Sequence, residues 1–182
     1  MQTALPTDPD LSSFLSALGS AHLGRASDDD VVDAIRSMIA HPEYPCLGAR
    51  SVFRRDSAHI HVLDSMDAAG TADLARRLRG FASEHGQDDE FVSFVATFRG
   101  PVPGTEREFE TALWRVLQGL HDVDGRSWPS TVSADPESPH FAFSFADTAF
   151  FVVGLHPAAS RIARLRPACG PVGAASAATP RC

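Results

Sequence analysis

The stretch that most limits what this chain can fold into is His140 to Arg161, HFAFSFADTAFFVVGLHPAASR. Phe141, Phe143 and Phe145 alternate with Ala142 and Ser144, the period-two pattern of a strand with one buried face. Asp147-Thr148 supplies a tight turn. Ala149 to Leu155 is then almost unbrokenly apolar, which predicts a strand covered on both faces in the middle of a sheet. The run ends in Gly154-Leu155-His156-Pro157, so the strand delivers an imidazole to the sheet's edge. Pro157 stops the ladder there and can open a helix through Arg161.

The rest of the chain supplies the partners of that hairpin. Residues 1–26 read as a weakly structured lead-in with at most one short helix, Leu11 to Leu18. Ser27 followed by Asp28, Asp29 and Asp30 is a strong helix start, with acids at the positive end of the dipole. Val31, Ile35, Met38 and Ile39 share one face of that helix, and His41-Pro42 ends it. Residues 43–50 read as a proline- and glycine-bearing loop around Cys46. Ser51–Arg54 and His59–Leu63 read as two strands joined by a polar turn. Thr71 is expected to cap a helix that buries Leu74, Leu78 and Phe81 and closes at Gly86. Phe91–Phe98 is a further strand, preceded by the acidic turn 87–90. Thr105 and Glu108 form a capping box, opening a helix with Phe109, Leu113, Val116, Leu117 and Leu120 on one stripe. Residues 125–139 form a polar loop containing Trp128.

Helices interleaved with short-linked strand pairs predict a single α+β domain, with helices packed on a mixed, mostly antiparallel sheet. A chain of 182 residues can bury a sizeable core. Its formal net charge of −7 repels a phosphate backbone, which argues against nucleic acid as a partner. No apolar window is long enough for a membrane span. The N-terminus has no basic residue before its apolar part, unlike a signal peptide. Three widely spaced cysteines, Cys46, Cys169 and Cys182, are the free thiols of a reducing cytoplasm rather than a disulfide framework. All 16 basic residues are arginine, as in a GC-rich coding sequence. Residues 169–182, made of small residues and prolines, bury too little to offset their ordering entropy and are expected to be disordered.

Four segments resemble the YqcI/YcgG family: Tyr44-Pro45-Cys46-Leu47-Gly48-Ala49-Arg50; Glu108-Phe109-Glu110 with Leu113-Trp114, Leu117-Gln118 and Leu120-His121 on to Asp124; Asp135-Pro136 leading into Phe141–Phe145; and Phe151 to Pro157 with Ser160-Arg161. The resemblance covers most of residues 41–168. It implies a haem-dependent N-oxygenase that hydroxylates a guanidino group of an arginine-like amino acid, using haem b, dioxygen and an electron donor. The family pattern continues past the His-Pro segment, whereas this chain departs from it near Cys169. The expectation is a chain truncated or read out of frame after about Pro167, and hence a degraded or inactive copy.

Haem iron takes His, Cys thiolate, Met or Tyr. His156 is the first candidate for the axial ligand, against a plain histidine hydrogen-bonded to a backbone carbonyl. Cys46 is the rival ligand, against a small buried apolar residue. Arg50, Arg161 and Arg164 are candidates for haem propionates. His121 with Asp124 is a candidate acid–base pair for oxygen activation, or an imidazolium at a helix C-terminus. Asp122, Asp124 or Asp135 is expected to grip a guanidinium. His59 and His61 alternate on a strand and could share a zinc ion, against two histidines on a solvated strand. The alternative function is an α+β domain that binds haem or another small molecule without turnover.

Overall fold

The structure is a computed structural model that describes residues 26–86, 91–156 and the strand at 172–177. Along the chain lie α1 (Asp28–Ala40), α2 (Leu47–Arg54), β1 (Ala58–Leu63), α3 (Ala68–His85), β2 (Val92–Phe98), α4 (Glu106–Asp124), β3 (Phe143–Phe145), β4 (Thr148–Leu155) and β5 (Val172–Ala177). The strands form one sheet in the order β1-β2-β5-β4-β3. β1 pairs with β2 in parallel, and the other three pairings are antiparallel. The fold is a single α+β domain on a mixed, mostly antiparallel sheet, as the pattern of elements predicts.

Adjacent residues of a strand face opposite ways, so the sheet carries two cores. Phe94, Ala96 and Phe98 of β2 meet Leu74, Leu78 and Phe81 of α3, Val116, Leu117 and Leu120 of α4, and Phe143, Phe145 and Phe150 of the hairpin. Val95, facing the other way, meets Val31, Ile35, Met38 and Ile39 of α1, with Ile60 and Val62 of β1 and Leu155 of β4. The buried phenylalanines carry most of the first core, at roughly 1.5–3 kcal/mol for each fully buried large apolar side chain.

The helix starts follow local chemistry. Ser27 and Asp30 form a reciprocal capping box on α1. Thr105 and Glu108 do the same on α4, with Glu108 Oε2 accepting from the amides of Gly104 and Thr105. At the other end of α4, Gly125 takes the left-handed conformation, φ 62°, that glycine adopts without a Cβ penalty.

Five expectations within residues 43–155 are corrected. Ser51–Arg54 is the second half of helix α2, not a strand: Cys46 Sγ accepts from Ala49 N at 3.4 Å and starts the helix inside the expected loop. β1 therefore has no hairpin partner before it and pairs in parallel with β2 across the α3 crossover. Asp67, not Thr71, caps α3, accepting from Gly70 N at 3.0 Å, and Thr71 is buried within the helix. The hairpin turn falls on Ala146-Asp147, both with positive φ, the type I′ geometry matched to strand twist. β4 is not covered on both faces along its length, since Phe151 is 63% exposed.

In the tail expected to be disordered, Val172–Ala177 is a strand between β2 and β4. Its small residues can still close backbone ladders, which need no side chain. The short helix at Leu11–Leu18, the acidic turn at 87–90, the helix after Pro157 and the remainder of the tail lie outside the described residues.

Candidate functional site

A cavity of about 400 Å3 opens between α4 and the β3–β4 hairpin. One wall is a single face of α4: Glu106, Phe109, Glu110, Leu113, Trp114 and Leu117, spaced i, i+3, i+4, i+7, i+8 and i+11. The other wall is Phe141, Ala142, Phe150 and the β4 backbone through Gly154, with Pro136 at the rim and His156 at one end. Gly154 lets α4 come this close: a Cβ there would lie 2.8 Å from Phe109 Cε1 and 3.0 Å from Leu113 Cδ2.

His156 is 1% exposed. Its Nε2 lies 2.9 Å from the Pro103 carbonyl oxygen, and its ring stacks on Phe109 with centroids 5.0 Å apart. A carbonyl only accepts, so Nε2 carries the proton. Opposite it in character are two carboxylates one helical turn apart, Glu106 and Glu110. Glu110 is exposed and makes no hydrogen bond or ion pair among the described residues. Trp114, 42% exposed, sits one turn beyond Glu110 and faces Phe141 at 6.1 Å. Carboxylates beside aromatic faces form a receptor for an organic cation: the carboxylates meet its charge, and the rings take a flat guanidinium by cation–π contact.

The structure does not bring the sequence-derived candidates together. His121 and Asp124 lie at the C-terminal end of α4, roughly 22 Å and 27 Å along its axis from Glu106 at about 1.5 Å per residue. There His121 packs on Trp128, with centroids 5.4 Å apart. Asp124, its side chain 4% exposed, accepts from Ala146 N at 3.0 Å and faces Arg79 at 3.6 Å, so it holds the hairpin turn. Asp122 accepts from Gln118, and the exposed Asp135 accepts from Glu137 N in its own loop.

Cys46 is exposed as the cap of α2, neither beside His156 nor a buried apolar residue. Arg50 lies on α2, against the other face of the sheet, and donates to the Pro42 carbonyl at 3.3 Å. Arg161 and Arg164 lie outside the described residues.

His59 and His61 do share a face, but that face is half-buried rather than solvated. His59 packs on Phe81 and His85, and His61 stacks on Phe94 at 4.5 Å. Burial lowers the pKa of both, with His85 adding to the effect at His59 and Arg77 at His61. Among the described residues no group of three or more His, Cys, Asp or Glu is placed to hold a metal ion. Sequence reasoning missed Glu106 and Glu110, although their spacing from Phe109, Leu113 and Trp114 puts them on the same helical stripe.

The family model for the YqcI/YcgG family matches residues 35–171, and the chain belongs to that family. Among curated proteins it is similar to the uncharacterized protein YqcI of Bacillus subtilis (strain 168), 23% identical over 124 residues, 65% of this chain and 49% of that protein. The chain thus spans about half the length of this relative. No solved structure matches it.

The described residues of the cavity do not by themselves fit haem. The imidazole has its Nε2 on Pro103, among the described lining residues no cation faces the two propionates, and the exposed Glu110 would repel them. The volume of about 400 Å3 is that of a site for one small molecule, not for haem and a substrate together.

Proposed function

We propose that this protein binds a small guanidino-bearing molecule in the cavity between α4 and the hairpin. The observation that carries the reading is the pair Glu106 and Glu110, one turn apart on the wall that also presents Phe109 and Trp114. The carboxylates would receive the guanidinium through paired N–H···O bonds, Trp114 and Phe141 would cover its flat face, and the apolar end at Leu117 and Phe150 would take an aliphatic stem. His156 would close the far end, its Nε2 donating to Pro103.

This ligand is the substrate class of the N-oxygenase reading, in which the guanidino group is hydroxylated in the cytoplasm. Haem b, dioxygen and an electron donor would supply that oxidation, and they rest on the family resemblance alone. The second reading is binding of the small molecule without turnover. Incubating the protein with haemin, a reductant and arginine or agmatine separates the two. A hydroxyguanidine product by mass spectrometry establishes the oxygenase. Saturable binding of the guanidine with no product establishes the binding domain, and neither product nor binding removes both.

A further inference from the structure

A second cavity, of about 270 Å3, lies between α1 and α2, the helices on the opposite side of the sheet. It is lined by Arg36, Ile39, Ala40, Arg50, Phe53 and Arg54. Three of these six are arginines and none is a carboxylate, in a chain whose net charge is −7. Arg50 and Arg54 stand i, i+4 on α2, and Arg36 reaches in from α1.

One arm of Arg36 is held by Asp56 at 3.0 Å, and one arm of Arg50 by the Pro42 carbonyl at 3.3 Å. Each guanidinium keeps further N–H donors, because it carries five. Arg54 makes no hydrogen bond or ion pair among the described residues. Three like charges around one small hollow repel one another, and an anion seated among them reverses the sign of that interaction.

We propose that this cavity binds a phosphate dianion, either free or as the end of a small phosphomonoester. Guanidinium forks match phosphate oxygens, and three arginines lining one hollow from two helices offer a tetrahedral oxyanion donors from more than one direction. Ile39, buried, and Phe53, half-buried, make one side of the hollow apolar, and a lower local dielectric there strengthens charged hydrogen bonds. The site shares no residue with the Glu106–Glu110 cavity and does not rest on the guanidine reading.

The test is calorimetric titration of the full chain with inorganic phosphate, at ionic strength held constant with sodium chloride. Saturable binding is expected, at least tenfold weaker in Arg54→Gln, a change that breaks no hydrogen bond or ion pair among the described residues, and unchanged in Arg107→Gln on α4. Affinity should rise from pH 5.5 to 8 as inorganic phosphate loses its second proton at about pH 7, roughly a unit above the ~6 of a phosphomonoester, whereas sulfate shows no such rise. Glycerol phosphate binding more tightly than phosphate assigns the site to a phosphomonoester, and the reverse order to the free ion. No saturable heat, or equal affinity in wild type, Arg54→Gln and Arg50→Gln with folding verified by circular dichroism, overturns the proposal.

Discussion

The His156 imidazole donates from Nε2 to the Pro103 carbonyl oxygen at 2.9 Å, and so ties the end of β4 to the loop that starts α4. The two elements that wall the larger cavity are thus joined at its closed end by a buried side chain stacked on Phe109. His156→Ala removes the ring and leaves the carbonyl without that donor. The expected cost is about 2–4 kcal/mol, from the lost packing and hydrogen bond, read by denaturant unfolding. An unchanged midpoint would mean that the ring contributes nothing to joining the walls.

Gly154 sets the spacing of those walls. Gly154→Ala puts a methyl 2.8 Å from Phe109 Cε1, and the Phe109 ring or the helix that carries it must shift. Overpacking of this kind costs about 1–3 kcal/mol, and the cavity's shape should change with it. The check is a lower unfolding midpoint together with weaker guanidine binding.

How much of the fold and site is legible in the residues divides by the range of the interaction. The capping boxes at Ser27 and Thr105 are written within four residues, and both can be read directly. Helix α2 cannot: Ser51-Val52-Phe53 looks strand-like, and the cysteine cap that starts the helix is a rare one. The parallel pairing of β1 with β2 depends on a crossover of nearly thirty residues, which no local pattern announces. His156 stands out because Pro157 marks the strand's end, but its partner Pro103 is 53 residues away. Glu106 and Glu110 are legible in principle from the stripe on α4. Glu106 escapes notice because a charge in the first turn already has a reason to be there, in the dipole, and Glu110 because an exposed carboxylate on a helix is ordinary.

The hairpin turn offers a stability test. Ala146 has φ 50°, a left-handed conformation that costs a residue with a Cβ about 1 kcal/mol or more. Ala146→Gly relieves it and should raise stability by up to about 1 kcal/mol, part of the gain being offset by the freer unfolded chain. A lower melting temperature would contradict this account of the turn.

Acid should weaken the β1–α3 contact. His59 and His61 have pKa values lowered from 6.5 by burial against Phe81 and Phe94, so the folded state favours their neutral forms. The unfolded chain binds more protons than the folded one once pH drops below about 6.5, and stability falls as pH goes on through the folded values. Asp30, Asp67 and Asp73 are lowered from 3.8 by hydrogen bonds and act only in stronger acid. Unfolding free energy measured from pH 7.5 to 5 should therefore decline, with a shallower slope in the double variant His59→Gln, His61→Gln. A slope identical to wild type would remove the histidines as its source.

The central claim is that Glu106 and Glu110 receive a guanidinium, and agmatine titrated calorimetrically into the protein without haemin tests it most directly. The account predicts saturable binding, weakened roughly tenfold by Glu110→Gln, about 1.4 kcal/mol, and further in the double variant Glu106→Gln, Glu110→Gln. Binding that is absent, or equal in wild type and the double variant, would contradict it.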